Sequence, residues 1–272
     1  MKRVIFVGAG KSFPESAFTF LNSMQEQGPI NVTGLFFSTI DDARMAASYV
    51  PIAAPYLRVR DKELQILQAN KALFARKCLD SFIKFTVHDN DQEWDGQLFA
   101  RQTRFADLVV LSGELFYGEM STIQPNAFLR EALHVAECPV MIIPTQYVEP
   151  QHVVMAYDGG RDSLFAIKQF CNLFPAFTDL PTEIVHVGEE SAKDIPDLDL
   201  LKEFARLHFS NLNFSRLQFK AASAFAGWIG AKQNVMLVSG SFGRSPFSYL
   251  TRESFSKKTV HDHKMPIFIA HT

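Results

Sequence analysis

The run VGAGKS at residues 7–12 follows the apolar Val4-Ile5-Phe6 and ends like a phosphate-binding loop. A complete P-loop needs a glycine five positions before Gly10, so that a long turn of backbone N–H groups wraps a polyphosphate before Lys and Ser engage it. Ile5 stands there instead. A dinucleotide fingerprint fails at its third glycine, where Phe13 occupies a position that close helix–strand packing reserves for hydrogen. VGAGKS therefore reads as a plain strand-to-helix turn. The second half of the chain offers a better constellation. Asp158-Gly159-Gly160 ends one apolar run and GSFGRS, 240–245, ends another. A carboxylate beside a glycine-rich turn can accept from ribose hydroxyls or hold a metal, and the turn N–H groups can meet phosphate.

The other reactive side chains form no second site. Asp89, Asp91, Glu93 and Asp95 in HDNDQEWDG lack the glycine at loop position six and the glutamate at twelve that a calcium loop requires, so they read as a solvated loop. His261 and His263 are two apart on an expected helix and do not share a face. His186 and His208 are isolated. Cys78, Cys138 and Cys171 are widely spaced and form no CxxC pair, which suggests neither a zinc site nor a disulfide framework. Asp158 has no His, Cys or Lys placed beside it by sequence, so its expected role is binding, not catalysis. No catalytic and no metal-binding residue is nominated.

The elements that must position Asp158 and Gly240 come in two similar sets. ADLVVLSG at 106–113 and QNVMLVSG at 233–240 each lead, through a helical segment, to a short strand entered by proline, CPVMIIP at 138–144 and MPIFIAH at 265–271. RVIFVGAG opens the first set and HVVMAYDGG, 152–160, the second. Helices are predicted over 15–25 and 162–173, second strands over 31–38 and 182–188, and longer helices over 62–82 and 195–208. Third strands follow at 83–88 and 214–220, then third helices at 95–104 and 222–232. Continuous β-branched and aromatic runs alternating with amphipathic helices indicate strands covered on both faces, hence two α/β domains with parallel sheets. The boundary falls near TQYVEPQ, giving domains 1–146 and 150–272. In open parallel sheets ligands collect at the carboxyl ends of strands where strand order reverses, just after strands one and four of each set.

Bulk properties exclude several classes. A formal net charge of −2 gives no electrostatic reason to expect nucleic acid or an anionic membrane as partner. Lys2 and Arg3 precede only a short apolar segment, and no stretch approaches the roughly 18 apolar residues of a membrane span. A reducing cytoplasm is the expected location. The final strands PVMIIP and PIFIAH are short apolar margins that need cover, so the two domains are expected to pair them as an intramolecular pseudo-dimer, with a homodimer of chains as a separate expectation.

Gly240-x2-Gly243-x10-Ser254, with Asp158 after the first strand of its set and His186-Val187 closing the second, resembles the universal stress protein family, whose nucleotide-binding members carry Gly-x2-Gly-x9-Gly-Ser/Thr. The resemblance covers the second half in order and length and the first half more weakly, so the chain looks like a tandem member. It implies two Rossmann-like domains of the adenine nucleotide alpha hydrolase type, each a five-stranded parallel sheet flanked by helices. It also implies a stress-response regulator or sensor that binds ATP in the C-terminal domain and hydrolyses it slowly at most. Carried across residue by residue, Asp158 would sit near ribose and phosphates, Val187 would touch the adenine, and Gly240 and Gly243 would admit ribose and phosphate. Arg244 would offset charge, and Ser254 and Ser256 would donate from the start of the last helix. One departure is Glu253, where the family has glycine. Its carboxylate beside phosphate would cost about 1–4 kcal/mol unless Mg²⁺ or another cation intervenes. The first half has Gly8-Ala9-Gly10 without an aspartate, Phe116 where a glycine belongs and Asn126-Ala127 in place of Gly-Ser, so no nucleotide is expected there. The alternative is a regulatory or assembly module that keeps the fold without a nucleotide.

Overall fold

The computed structural model describes residues 1–9, 12–37, 53–88, 94–113, 127–188, 194–218, 222–240 and 265–272. The first half runs β1 (Lys2–Ala9), α1 (Glu15–Gln27), β2 (Ile30–Phe37), α2 (Ala53–Asp80), β3 (Lys84–Val87), α3 (Gly96–Thr103), β4 (Leu108–Ser112), α4 (Ala127–Val135) and β5 (Val140–Ile143). The second repeats it with β6 (His152–Ala156), α5 (Arg161–Leu173), β7 (Thr182–Gly188), α6 (Leu198–Arg206), β8 (Leu212–Gln218), α7 (Ala222–Gly230), β9 (Val235–Ser239) and β10 (Ile267–Ile269).

These strands form one ten-stranded sheet in the order β3-β2-β1-β4-β5-β10-β9-β6-β7-β8. Within each half every pairing is parallel, as expected of strands buried on both faces; β4 has all five residues buried. The halves meet at β5 and β10, the one antiparallel pairing among the described residues, with Ile142 opposite Ile267 and Val140 opposite Ile269. Apolar packing seals the same join. Phe20 of α1 lies 5.9 Å from Phe174, whose ring meets Phe268 of β10 edge-on at 5.8 Å. Lys2 reaches across to donate to the Leu173 carbonyl.

Helix placement follows from apolar spacing. α1 buries Ala17, Phe18, Phe20, Leu21 and Met24, and α5 buries Ala166, Ile167, Phe170 and Cys171, one stripe each at helical period. α1, α2, α5 and α6 cover one face of the sheet, while α3, α4 and α7 cover the other. Asp95 caps α3, its Oδ1 accepting from the N–H groups of Gln97 and Leu98 at 2.8 and 3.1 Å.

Three elements start two or more residues away from the sequence reading. α2 begins at Ala53 instead of 62, because Pro55 falls in the first helical turn, where an absent N–H costs nothing. α6 begins only at Leu198, since Pro196 and the left-handed Asp197 (φ 48°) hold the chain outside the helix until then. β8 starts at Leu212, two residues before the predicted 214, where the Asn211 carbonyl already accepts from Thr182 N–H.

Candidate functional site

In the second half the strand order reverses between β6 and β9, and the crevice at their carboxyl ends holds both residues that the sequence singled out. Asp158 follows β6 and Gly240 follows β9. What joins them is Ser163, in the first turn of α5. Its hydroxyl donates to Asp158 Oδ1 at 2.7 Å and lies 2.9 Å from the Gly160 carbonyl, and Asp158 Oδ1 also accepts from Gly160 N–H at 2.8 Å. The same Asp158 oxygen thus closes an Asx turn ahead of α5, whose N-cap residue, Gly160, carries no side chain to cap the helix. A Cβ on Gly240 would lie 2.6 Å from Ser163 N and 2.7 Å from Asp162 C, so only glycine lets β9 run this close to α5. The side of Gly240 that would bear a side chain therefore faces α5 backbone. Ser163 was missed in the sequence reading; its signal was its place as the first small polar residue after the Asp158-Gly159-Gly160 turn.

The turn itself is fixed by conformation. Gly159 has φ +82°, a region that favours glycine, and a Cβ there would meet the Pro196 ring at 2.7 Å. Pro196 thereby covers the turn, and Asp197 beside it adds negative charge. The phenol of Tyr157 titrates above its usual range, first because it is buried and then because Asp197 and Asp158 repel a phenolate. Asp162, in the first turn of α5, is held below the usual carboxylate range, chiefly by the Thr272 hydroxyl that donates to its Oδ1 at 2.8 Å. Buried His186 donates from Nδ1 to the Tyr157 carbonyl at 2.9 Å. The backbone of Val187 continues β7, opposite Leu217 of β8.

Gly243, Arg244, Glu253, Ser254 and Ser256 lie outside the described residues, as do Lys11, Asp89, Asp91, Glu93, His261, His263, Phe116 and Asn126. Among the described residues no cluster of three or more His, Cys, Asp or Glu could hold a metal, and no helix is long and apolar enough to cross a membrane. A shallow hollow of about 490 Å³ opens at the opposite, amino edge of this half, between His152, Glu183, Asn213 and Lys232.

The first half is built differently at the matching place. A Cβ on Gly8 would strike the Phe36 ring, and Phe36 packs 5.6 Å from Phe74, which stacks on Phe6 at 5.2 Å. Aromatic side chains fill the space over the end of β1. The register also corrects one equivalence read from the sequence. Val109 N–H donates to the Pro139 carbonyl and Leu237 N–H to the Pro266 carbonyl, so three residues further on Ser112, and not Gly113, matches Gly240.

This doubly wound, duplicated sheet is the fold of the universal stress proteins. A universal stress protein from Archaeoglobus fulgidus DSM 4304 superimposes with a TM-score of 0.68 at 14% identity, over 99% of this chain and 96% of that one. A protein assigned to the same group from Pseudomonas aeruginosa UCBPP-PA14 gives a TM-score of 0.52 at 11% identity, over 100% of this chain and 93% of that one. No family model and no curated protein matches the sequence.

Proposed function

We propose that the chain is a tandem universal stress protein, a stress-response regulator or sensor that binds an adenine nucleotide, ATP, at the carboxyl edge of its second half. The observation that carries this reading is the convergence of Asp158 and Gly240 on the amino end of α5, at the strand-order reversal where ligands of such sheets lie. Asp158 would accept from the ribose, with its Oδ1 held by Gly160 and Ser163 so that the carboxylate is already oriented. Gly243, Arg244, Ser254 and Ser256 would meet the phosphates, the backbone at Val187 would border the adenine, and Mg²⁺ would offset Glu253. Isothermal calorimetry with ATP and Mg²⁺ tests it. A saturable heat that Asp158→Ala abolishes supports the reading, and no heat at millimolar nucleotide removes it.

A second reading, a regulatory or assembly module that keeps this fold without a nucleotide, is favoured by a different observation. Asp158 and Asp162 already place two carboxylates at the amino end of α5, and Asp158 Oδ1 is engaged by Gly160 N–H and the Ser163 hydroxyl. Negative side chains there satisfy the helix dipole internally and oppose a phosphate. Nucleotide released by heating the purified protein, identified by mass spectrometry, counts against this version. Repeating the extraction with Glu253→Gly separates a blocked site from a site that was never built.

A further inference from the structure

The hollow at the amino edge of the second half takes no part in the nucleotide reading, and the duplicated chain supplies its comparison. With Ser112 matched to Gly240, Val109 matches Leu237, and their register partners Ile5 and Val154 match in turn. Thr33, opposite Ile5, then stands where Glu183 stands opposite Val154, and Arg3 stands where His152 does. Gln102 lies as far before Ser112 as Gly230 lies before Gly240. In the first half the Gln102 side chain spans this place: its Oε1 accepts from Arg3 Nη2 at 3.4 Å, and its Nε2 lies 3.4 Å from His88 Nε2. Gly230 has no side chain to do so. A Cβ there would meet nothing within 4 Å, and about 490 Å³ stays open beside His152, Glu183, Asn211, Asn213 and Lys232, a volume in the range of small-molecule sites.

An ion pair lies in this hollow, on a sheet face where Val154, Val185, Val235 and Leu237 are buried. Glu183 Oε2 accepts from Lys232 Nζ at 3.2 Å and Oε1 accepts from the Ser215 hydroxyl, while the Lys232 ammonium stands 4.3 Å over the Trp228 ring. The Lys232 and Glu183 side chains are 33% and 24% exposed, so desolvation offsets much of their attraction and the pair adds little to stability. The first half folds without it. Thr33 replaces the glutamate there, and Arg104, at the place of Lys232, turns to Glu137 instead. We propose that the hollow binds a free α-amino acid as its zwitterion, the ligand's ammonium against the Glu183 carboxylate and the ligand's carboxylate against the Lys232 ammonium. Each Glu183 oxygen keeps a lone pair beyond its bond to Lys232 or Ser215, and Lys232 has N–H groups beyond the one given to Glu183. In an α-amino acid the two charged groups share one carbon, which holds nitrogen and oxygen about 3 Å apart, close to the 3.2 Å between Lys232 Nζ and Glu183 Oε2. The two pairs thus align head to tail, and every charge meets an opposite one. This site lies at the edge opposite Asp158 and does not depend on nucleotide binding.

Saturation-transfer NMR on the full chain with each of the proteinogenic L-amino acids should find at least one that binds saturably with a Kd of about 1 mM or tighter. Its N-acetyl derivative, which has lost the ammonium, and its carboxamide, which has lost the carboxylate, should each bind about tenfold or more weakly than the parent. Gly230→Gln puts the first half's side chain into open space and should weaken binding by a similar factor without lowering the urea midpoint, because glutamine favours a helix over glycine. Absence of a saturable signal from every amino acid overturns the inference. So does a derivative that binds as well as its parent, or binding undiminished in the folded Gly230→Gln variant. Should that variant fail to fold, the two derivatives on the unaltered protein decide.

Discussion

Gly240→Ala tests the geometry on which the candidate site rests. The added Cβ would sit 2.6, 2.7 and 2.9 Å from Ser163 N, Asp162 C and Ser163 Cα, all backbone atoms that cannot swing aside. Ordinary carbon contacts lie at about 3.5–4.0 Å, so β9 and α5 would have to separate by roughly 0.8 Å. α5 resists, because Ala166, Ile167 and Phe170 are fully buried against the sheet. Overpacking of this kind costs about 1–3 kcal/mol. Urea denaturation should show it as a lower midpoint at unchanged slope. Gly28→Ala is the control: nothing lies within 4 Å of its Cβ position and its φ of 163° is extended backbone, so its stability should move by less than about 0.5 kcal/mol. A Gly240→Ala variant as stable as that control would refute the claim that close β9–α5 packing requires the glycine. Gly240→Ser, which installs the residue that the first half carries in register, should cost at least as much as alanine, because the second half has no room for the side chain.

Asp158→Ala should lower stability by about 1–2 kcal/mol through loss of the two hydrogen bonds that hold the turn into α5, and Asp158→Asn, which keeps an oxygen for Gly160 N–H and the Ser163 hydroxyl, should recover most of it, both read by urea denaturation at pH 7. Asp162 titrates lower in the folded state than in the unfolded chain. Its contribution is therefore fully present above the unfolded value of 3.8 and is lost as pH falls through the folded value. Asp162→Asn should accordingly make the loss of stability below that pH shallower, and an unchanged acid limb would contradict the Thr272 contact. Burial pushes the thiols of Cys78, Cys138 and Cys171 up to about 12, so a disulfide reagent at pH 8 should label them slowly in the native protein and rapidly in urea. Rapid native labelling would show that these sites open.

The order of elements was legible because period carries the information. Unbroken apolar runs such as LVVLS and VMLVS have no solvent face to alternate with, and ESAFTFLNSM repeats its apolar positions at helical spacing. Asp158 and Gly240 were legible for a related reason: in a parallel sheet the residues just beyond strands one and four must lie at the order reversal, whatever their chemistry. Boundaries were less secure where a local residue argues against its context. Pro55 looks like a helix stop in sequence and is harmless once it stands in a first turn.

The sequence by itself determined the duplicated α/β pattern and which strand ends come together, because both depend on residue periodicity and connection rules that operate over short stretches of chain. Only the tertiary structure decided what those residues do to one another. That Asp158 holds Ser163, that Gly240 yields its side-chain space to α5 backbone, and that Phe36 fills the space over Gly8 are outcomes of interatomic distances that no residue pattern states. The one-residue offset that pairs Ser112 with Gly240 was equally hidden, since both halves keep the same apolar pattern in either alignment and only the hydrogen bonds to Pro139 and Pro266 select the register.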